Sequence, residues 1–291
     1  FSGGDPLVLD ENLELMRYAV SVFGKDLMEV STTGVGLSKR SPEDLKELIT
    51  KLDFSYDATE GVYHPNRPEG YNNSNLKKAS LFSKAGIHTV AETPLSVKNI
   101  NKNHIFLLYE NLNRAEIDEV KPMRLFPVGR CISKTNEVPS REQYLSALDY
   151  FYEAERKYLK PKLRLQCSLK HLKEINEKNP CDLFRESFAV TPDGLLLTSA
   201  WAYGLDGKPL NDVFVLGSIV DNPIDVLLNS EKGRYYQQHM DDNFGHCKIF
   251  AFLNSQKSNP LERVFDKADP LYSDTTTIKM NQNSFKIINN M

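Results

Sequence analysis

The sequence has 291 residues, enough for one large domain or for a main domain with a smaller one attached. Its 40% hydrophobic and 26% charged residues are typical of a globular protein with a sizeable core. The net charge of −3, with scattered basic residues, excludes a strong electrostatic footprint for nucleic acid, and no apolar run is long enough to span a bilayer. The four cysteines, Cys131, Cys167, Cys181 and Cys247, form no C-x-x-C pair, so we expect free thiols and a cytoplasmic location.

The first 168 residues alternate strand-like and helix-like stretches. Strands are expected near residues 27, 53, 87, 122 and 163, a spacing of roughly 25 to 40 residues that is typical of βα units. Helices are expected at "LDENLELMRYAVSVFG", "SPEDLKELITKL", "NSNLKKASLFSKAG", "KNHIFLLYENLNRA" and "SREQYLSALDYFYEAERKYL". Capping boxes are predicted from Ser41 to Asp44 and from Ser140 to Gln143. Such units wind right-handed into an open parallel sheet or a barrel.

The pattern changes beyond residue 180. "FAVTPDGLLLTSAW" has two strand-like runs around a Pro-Asp-Gly turn, which predicts an antiparallel hairpin. "IDVLLNSEKGRYYQQHM" is predicted to be helical, and the Asn-rich terminal stretch is expected to be an extension. We therefore predict a main α/β domain over 1–168, a small α+β domain with a hairpin over 169–268, and an extension over 269–291.

Small and polar residues follow the predicted strands. In parallel βα architectures, ligand-binding groups gather at the carboxyl ends of strands. The residues at these positions are Gly3, Gly4 and Asp5; Ser31, Thr32 and Thr33; Ser55 and Asp57; Glu92 and Thr93; and Pro127, Gly129 and Arg130. Glycines allow the backbone to approach a ligand closely, and Asp5 offers an anionic partner for an ammonium or hydroxyl group. Ser55 and Asp57 are suited to ribose hydroxyls, and Arg67 to a carboxylate.

The same residues also have purely structural interpretations. Gly-Gly-Asp-Pro is typical of a turn, and "STTG" is typical of a strand exit. Ser55 and Asp57 are suited to capping the next segment. Cys131 and Cys167 fit small core positions, and the adjacent His246 and Cys247 seldom coordinate a metal together without two further ligands. The residues alone leave both interpretations open.

Five segments, in order, resemble the radical SAM enzymes over residues 1 to 168. They are "FSGGDPLVLDENLELMRYA", "MEVSTTGVGLS", "LDFSYDATEGVYHPNRPEG", "LFSKAGIHTVAETPLSVKNI" and "MRLFPVGR". The resemblance implies a partial (β/α)6 TIM-like barrel that binds S-adenosylmethionine. In that family the Gly-Gly-acid-Pro segment holds the methionyl amino group, a role that falls on Gly3, Gly4 and Asp5.

The resemblance implies further cofactor-binding residues. It places Ser55 on the ribose, Arg67 on the methionyl carboxylate, and the stretch from Phe126 to Gly129, with Phe126 and Val128, on the adenine. Thr33, Asp57 and Glu92 lie on the same predicted rim, and we include them in the cofactor site.

The family binds a [4Fe-4S] cluster through a C-x-x-x-C-x-x-C loop that precedes the Gly-Gly segment. No cysteine of this sequence has that spacing. We therefore expect the loop upstream of Phe1, and we expect these 291 residues to be inactive by themselves.

The second half resembles the SPASM or twitch domain of many of these enzymes, in "CDLFRESFAVTPDGLLLTSAWAYG" and "LGSIVDNPIDVLLNS". Cys181 and Gly194 match the family's first ligand and its turn glycine. Ser199 stands where a second cysteine is expected, and no cysteine follows Cys247. The resemblance thus implies a degenerate domain that binds substrate, with Cys181 and Cys247 as the remaining candidates for auxiliary ligands.

The implied function is a radical SAM oxidoreductase. It generates a 5′-deoxyadenosyl radical that abstracts hydrogen from a peptide, protein or small-molecule substrate, with ferredoxin or flavodoxin as electron donor. We expect no nucleic-acid or membrane partner. One alternative is a catalytically inactive relative that has lost its clusters and acts by binding. Another is a cluster-free barrel enzyme such as an aldolase, but the rim shows neither the lysine nor the metal triad that such an enzyme needs.

Overall fold

The computed structural model describes residues 1–57, 67–173, 181, 184, 188–204 and 206–272. The chain divides into two compact units. The first comprises Phe1–Met123 and Ser146–Gln166, and the second comprises Arg124–Leu145 and the described residues from Cys167 onward. The domain boundaries predicted at residues 168 and 268 stay predictions.

The first unit is built on a five-stranded sheet in which strand order follows chain order. Its strands are β1 (Glu29–Thr32), β2 (Lys51–Ser55), β3 (His88–Leu95), β4 (Glu119–Arg124) and β5 (Lys162–Leu163). The pairs β1–β2, β2–β3 and β4–β5 are parallel. The helices between the strands are α1 (Asp10–Phe23), α2 (Pro42–Leu45), α3 (Tyr71–Lys84), α4 (Lys102–Arg114) and α5 (Arg141–Tyr158). The predicted succession of βα units is therefore confirmed.

The two faces of this sheet have different chemistry, because successive side chains of a strand point to opposite faces. On β2, Leu52 and Phe54 are fully buried on the face that α3 packs against. The other face carries charges. Lys51 Nζ lies 2.6 Å from Glu29 Oε2. This polar and apolar alternation distinguishes the sheet from one covered by apolar layers on both sides.

Two predicted helices differ from the structure. Helix α2 ends at Leu45, whereas the apolar spacing predicted a helix that continued to Leu52. Leu52 instead belongs to β2, where it pairs with Val30 and Thr89. A short apolar run fits the periodicity of a helix or of a strand. The burial of Leu52 between two neighbouring strands selects the strand.

The second difference is the stretch predicted as one helix from Ile224 onward. It forms two helices, α7 (Ile224–Leu228) and α8 (Glu231–Gln238). Ser230 separates them, since its Oγ accepts a hydrogen bond from the backbone N–H of Gly233 and so begins a new helix.

The second unit contains an antiparallel sheet of β6 (Ala189–Val190), β7 (Leu195–Leu197) and β8 (Val215–Ser218). The turn between β6 and β7 is closed by a 2.9 Å bond from Gly194 N to Thr191 O, so the predicted hairpin is confirmed. Its other helices are α6 (Cys167–Leu172), α9 (Lys248–Asn254) and α10 (Pro260–Phe265). Among the described residues, no helix is long and apolar enough to cross a bilayer.

A buried ion pair crosses the second unit. Arg124 donates two hydrogen bonds to Asp269, at 2.6 and 2.8 Å, and the two side chains are 2% and 0% exposed. Asp269 also accepts bonds from the backbone N–H groups of Cys247 and Leu271. Burial raises the pKa of Asp269, but the charge and hydrogen bonds of Arg124 outweigh it and hold the pKa below its usual value. The carboxylate is thus kept ionised in the core.

Replacing Asp269→Ala tests this pair. We expect the free energy of unfolding to fall by about 3–5 kcal/mol, because the buried Arg124 guanidinium loses the carboxylate it binds. Urea unfolding followed by circular dichroism measures the change. The matched control is Glu110→Ala, which breaks the exposed pair between Glu110 and Arg114 and should cost less than about 1 kcal/mol. Equal losses in the two variants would contradict the prediction.

Candidate functional site

The segment before the first helix lies alongside β1. The backbone of Phe1 donates to Glu29 O at 2.6 Å, and its carbonyl accepts from Ser31 N at 2.8 Å. Gly3 and Gly4 follow with φ values of +88° and +55°, which L side chains rarely adopt. Apart from the glycine and its two chain neighbours, no atom of the described residues lies within 4 Å of the position that a Cβ would take at either glycine. The Gly-Gly turn is therefore open to the approach of a ligand.

The Asp5 carboxylate holds this turn in place. One oxygen, Oδ2, accepts from Thr33 Oγ1 at 2.8 Å and from Gly36 N at 3.0 Å. Thr32 Oγ1 lies 2.9 Å from both carboxylate oxygens, and Leu7 N lies 3.2 Å from Oδ1. Burial raises the pKa of Asp5, but these hydrogen bonds outweigh it and lower the pKa below its ordinary value. The carboxylate therefore joins the Gly-Gly turn to the loop after β1.

Asn75 of α3 joins the exits of β1 and β2. Its Nδ2 donates to Thr33 O at 3.0 Å and to Ser55 O at 2.9 Å, and the residue is 4% exposed. Its Oδ1 lies against Gly34, whose φ is +104°. A Cβ at Gly34 would come within 1.9 Å of that oxygen, so the close approach requires glycine.

Asp57 and Arg67, both predicted to contact the cofactor, bind each other. Arg67 Nε donates to Asp57 Oδ2, and its guanidinium lies 4.6 Å from the centroid of the Tyr71 ring. Burial lowers the pKa of Arg67, but the bond to Asp57 outweighs it and raises the pKa. Asp57 Oδ1 is buried and accepts no hydrogen bond in the described part of the chain. One carboxylate oxygen is thus left without a hydrogen-bond donor among the described residues.

Glu92 lies on the charged face of the sheet. Its Oε1 is 2.8 Å from Lys121 Nζ, and its Oε2 accepts from Ser31 Oγ at 3.4 Å. Asp53 lies nearby, and its pKa is raised by burial and by the charge of Glu92, in opposition to Lys51 and Lys121. The ion pairs of this face were missed in the sequence, although charged residues at the first and third positions of β2 and of β4 carried the signal.

Phe126 and Val128 belong to the second unit. The Phe126 ring stacks on Trp201 at a centroid distance of 4.5 Å and an angle of 18°, and it packs against Phe250 at 5.5 Å. Val128 packs against the same cluster. These partners bury Phe126 to 7% exposure. The adenine contact predicted for the two residues stays a prediction.

Cys181 and Cys247 both line a cavity of about 30 Å³ in the second unit, together with Cys167 and Ser199. Burial raises the pKa of Cys247 to about 11, so its thiol is protonated at neutral pH when no metal is bound. Among the described residues, no group of three or more His, Cys, Asp or Glu is arranged to hold a metal ion.

Two site residues escaped the sequence analysis. They are Asn75 and a second asparagine, Asn99, whose Nδ2 donates to Asp57 O at 2.8 Å and to Pro94 O at 2.9 Å. A signal existed for Asn75. It shares the buried stripe of α3 with Ala79 and Phe82, a place where an apolar residue is expected.

No protein-family model matches the sequence. The AdoMet-dependent heme synthase of Oleidesulfovibrio alaskensis is 24% identical over 198 residues, which are 66% of this chain and 48% of that protein. The chain therefore spans about half the length of this curated relative.

Two solved structures share the fold. SuiB of Streptococcus suis bound to S-adenosylmethionine superposes with a TM-score of 0.63 at 11% identity, over 89% of this chain and 63% of that one. The protein anSMEcpe with bound AdoMet superposes with a TM-score of 0.62 at 14% identity, over 100% of this chain and 81% of that one. This chain has the fold of the radical SAM enzymes. The resemblance and the partial barrel predicted from the sequence are thereby confirmed.

The close approach of Gly34 and Asn75 predicts the effect of Gly34→Ala. We expect a loss of more than about 2 kcal/mol in the free energy of unfolding, from the strained φ and from the displaced asparagine. Gly24→Ala is the matched control, because Gly24 has a positive φ of +84° but open space around it. It should cost about 1 kcal/mol. Chemical denaturation measures the unfolding free energy of both variants. Similar losses would contradict the prediction, because they would show that the Asn75 side chain moves aside at no cost in stability.

The Asp5 network predicts a pH dependence. A carboxyl whose pKa is lowered on folding stabilises the protein above its unfolded pKa of about 3.9, and this stabilisation is lost as pH falls through the lowered folded pKa. Asp5→Asn should therefore be less stable than the parent chain at pH 7, and the gap should narrow below about pH 4. Unfolding free energies across pH 3–7 measure it, with Asp26→Asn, an exposed residue, as control. A gap that does not change with pH would contradict the assignment.

Proposed function

We propose that this chain is the S-adenosylmethionine-binding portion of a radical SAM enzyme. One observation carries the proposal. An open Gly3-Gly4 turn, braced by Asp5, stands at the carboxyl end of a parallel sheet. The fold is shared with two proteins that were solved with bound S-adenosylmethionine. A turn of this kind exposes backbone groups to an amino-acid ligand.

The residues at the strand exits fit the cofactor. The open glycine backbone suits the methionyl amino group. Asp57 Oδ1, which has no donor among the described residues, suits a ribose hydroxyl, since a buried carboxylate oxygen without a donor is costly unless a ligand supplies one. Ser55 and Thr33 offer hydroxyl groups on the neighbouring strand exits. When bound, the cofactor supplies a 5′-deoxyadenosyl group that can abstract hydrogen as a radical.

The iron–sulfur cluster is different, because the residues of this chain do not fit it. The four cysteines are at positions 131, 167, 181 and 247, so none has the C-x-x-x-C-x-x-C spacing. The proposal therefore requires cluster ligands from outside residues 1–291, and we assign no step of it to the cysteines present.

A peptide substrate is the class we propose. SuiB was solved with its precursor peptide SuiA, and anSMEcpe was solved with a peptide. The chain covers 62% and 86% of those two proteins, respectively, with TM-scores of 0.64 and 0.60. Electron supply by ferredoxin or flavodoxin belongs to the same proposal.

A second candidate function is binding without catalysis. It is favoured by the cysteine spacing, since no cysteine of these 291 residues lies in a C-x-x-x-C-x-x-C run. A relative of this kind would hold a peptide or S-adenosylmethionine without cleaving either.

The decisive experiment uses the protein expressed from its complete coding sequence. The protein is reconstituted anaerobically with iron and sulfide, then mixed with dithionite and S-adenosylmethionine. We expect 5′-deoxyadenosine, measured by mass spectrometry. Its absence from protein that holds both cluster and cofactor would overturn the enzymatic proposal in favour of binding alone. Absence of cofactor binding would overturn the enzymatic proposal and leave peptide binding as the remaining candidate.

A variant links this outcome to the site. Asp57→Asn should weaken S-adenosylmethionine binding about tenfold, because a carboxylate acceptor becomes a neutral amide. Asp10→Asn is the control, since Asp10 is an exposed residue of α1 that pairs with Arg40. This variant should bind S-adenosylmethionine with an affinity within about twofold of the parent protein. Calorimetric titration measures both affinities. Equal affinities would remove Asp57 from the site.

A further inference from the structure

Two buried asparagines fasten neighbouring strand exits to each other. Asn75 donates to Thr33 O after β1 and to Ser55 O at the end of β2. Asn99 donates to Asp57 O after β2 and to Pro94 O near the end of β3. All four bonds are between 2.8 and 3.0 Å, and the two asparagines are 4% and 2% exposed. Three consecutive strands are thus joined by two amide groups.

The chemistry of these positions requires an amide. The carbonyls lie where the strands diverge, and a buried carbonyl without a donor costs free energy. A side-chain NH2 has two donors, and each asparagine uses both on main-chain oxygens. The Asn99 Oδ1 is also used, since it accepts from Ser96 N at 2.7 Å. An apolar residue would fill the space but leave the carbonyls at the strand ends without these hydrogen-bond donors.

A short chain of contacts connects Asn75 to the Gly-Gly turn. Asn75 Oδ1 lies against Gly34, and Gly34 N donates to Thr32 Oγ1 at 3.0 Å. Thr32 Oγ1 in turn bonds the Asp5 carboxylate at 2.9 Å. The position of Asn75 therefore bears on the residue that braces Gly3 and Gly4, as well as on Ser55.

We propose that Asn75 and Asn99 are positioning residues of the cofactor site. They hold Thr33, Ser55 and Asp57 in register with the Gly-Gly turn, so that a ligand meets a preformed rim and does not have to order it on binding. This inference rests on the proposed function, because the rim that the two residues position is the proposed S-adenosylmethionine site.

The test compares Asn75→Ala and Asn99→Ala with a matched control. Thr89→Val removes a similar side-chain link at the opposite end of β3, where the fully buried Thr89 bonds Asp118 through Oγ1 at 3.1 Å. All three variants lose buried hydrogen bonds and some stability, but only the asparagine variants alter the rim. The protein is again expressed from its complete coding sequence and studied where circular dichroism shows each variant folded.

Two readouts are measured. Calorimetric titration with S-adenosylmethionine should give an affinity about tenfold weaker for each asparagine variant and within about twofold of the parent for Thr89→Val. Amide hydrogen exchange without ligand should be faster by about tenfold or more in residues 31–36 and 53–57 of Asn75→Ala and in residues 53–57 of Asn99→Ala, and unchanged in both regions of Thr89→Val. Asn75→Asp, which keeps the volume but not the two donors, serves if the alanine variant does not fold, with the same expected results.

The outcomes separate the two proposals. Normal binding by the parent protein, with unchanged binding or unchanged exchange in the Asn75 variants, would overturn the positioning role alone. Equal weakening by Thr89→Val would also overturn it, because the effect would then follow from lost stability. Absence of binding by the parent protein would overturn the proposed cofactor site and the positioning role together.

Discussion

The Asp5 carboxylate fixes the geometry on which the candidate site depends. Its oxygens collect hydroxyl and backbone N–H donors from the loop after β1, and the donors keep it ionised. A Gly-Gly turn is flexible in isolation, because glycine loses more conformational freedom on folding than any other residue. Here Asp5 offsets that loss for Gly3 and Gly4 with bonds that are already made before a ligand arrives. The open turn and the braced carboxylate are two parts of one arrangement.

The same principle recurs along the edge of the sheet. Asn75 and Asn99 supply donors to strand-end carbonyls, and Gly34 provides the space that one of them needs. Among the described residues, Asp57 Oδ1 is buried and accepts no hydrogen bond. An acceptor of this kind is suited to a ligand that brings its own hydroxyl donor.

The sequence predicted the strand and helix order because apolar spacing, capping boxes and glycine stops act locally. It also predicted which residues follow the strands. It did not predict that Arg67 would bind Asp57, since the two residues are ten positions apart and the sequence gives no sign of that contact. Asn75 and the charged face of β2 were missed for a related reason. A polar residue in an apolar stripe interrupts the pattern that predicts a core position. Its role becomes clear only from its backbone partners, which are distant in sequence.

The ion pair between Arg124 and Asp269 has a consequence for how the chain is made. The two residues are separated by 145 positions, and the second unit takes its first segment from before the last strand of the sheet. At about 5–20 residues per second, a ribosome delivers the aspartate roughly 7 to 30 s after the arginine. Until then the guanidinium has no carboxylate to pair with in the core, so the segment around Arg124 must stay exposed to solvent. The chain also offers no single peptide bond at which cutting would release both units intact.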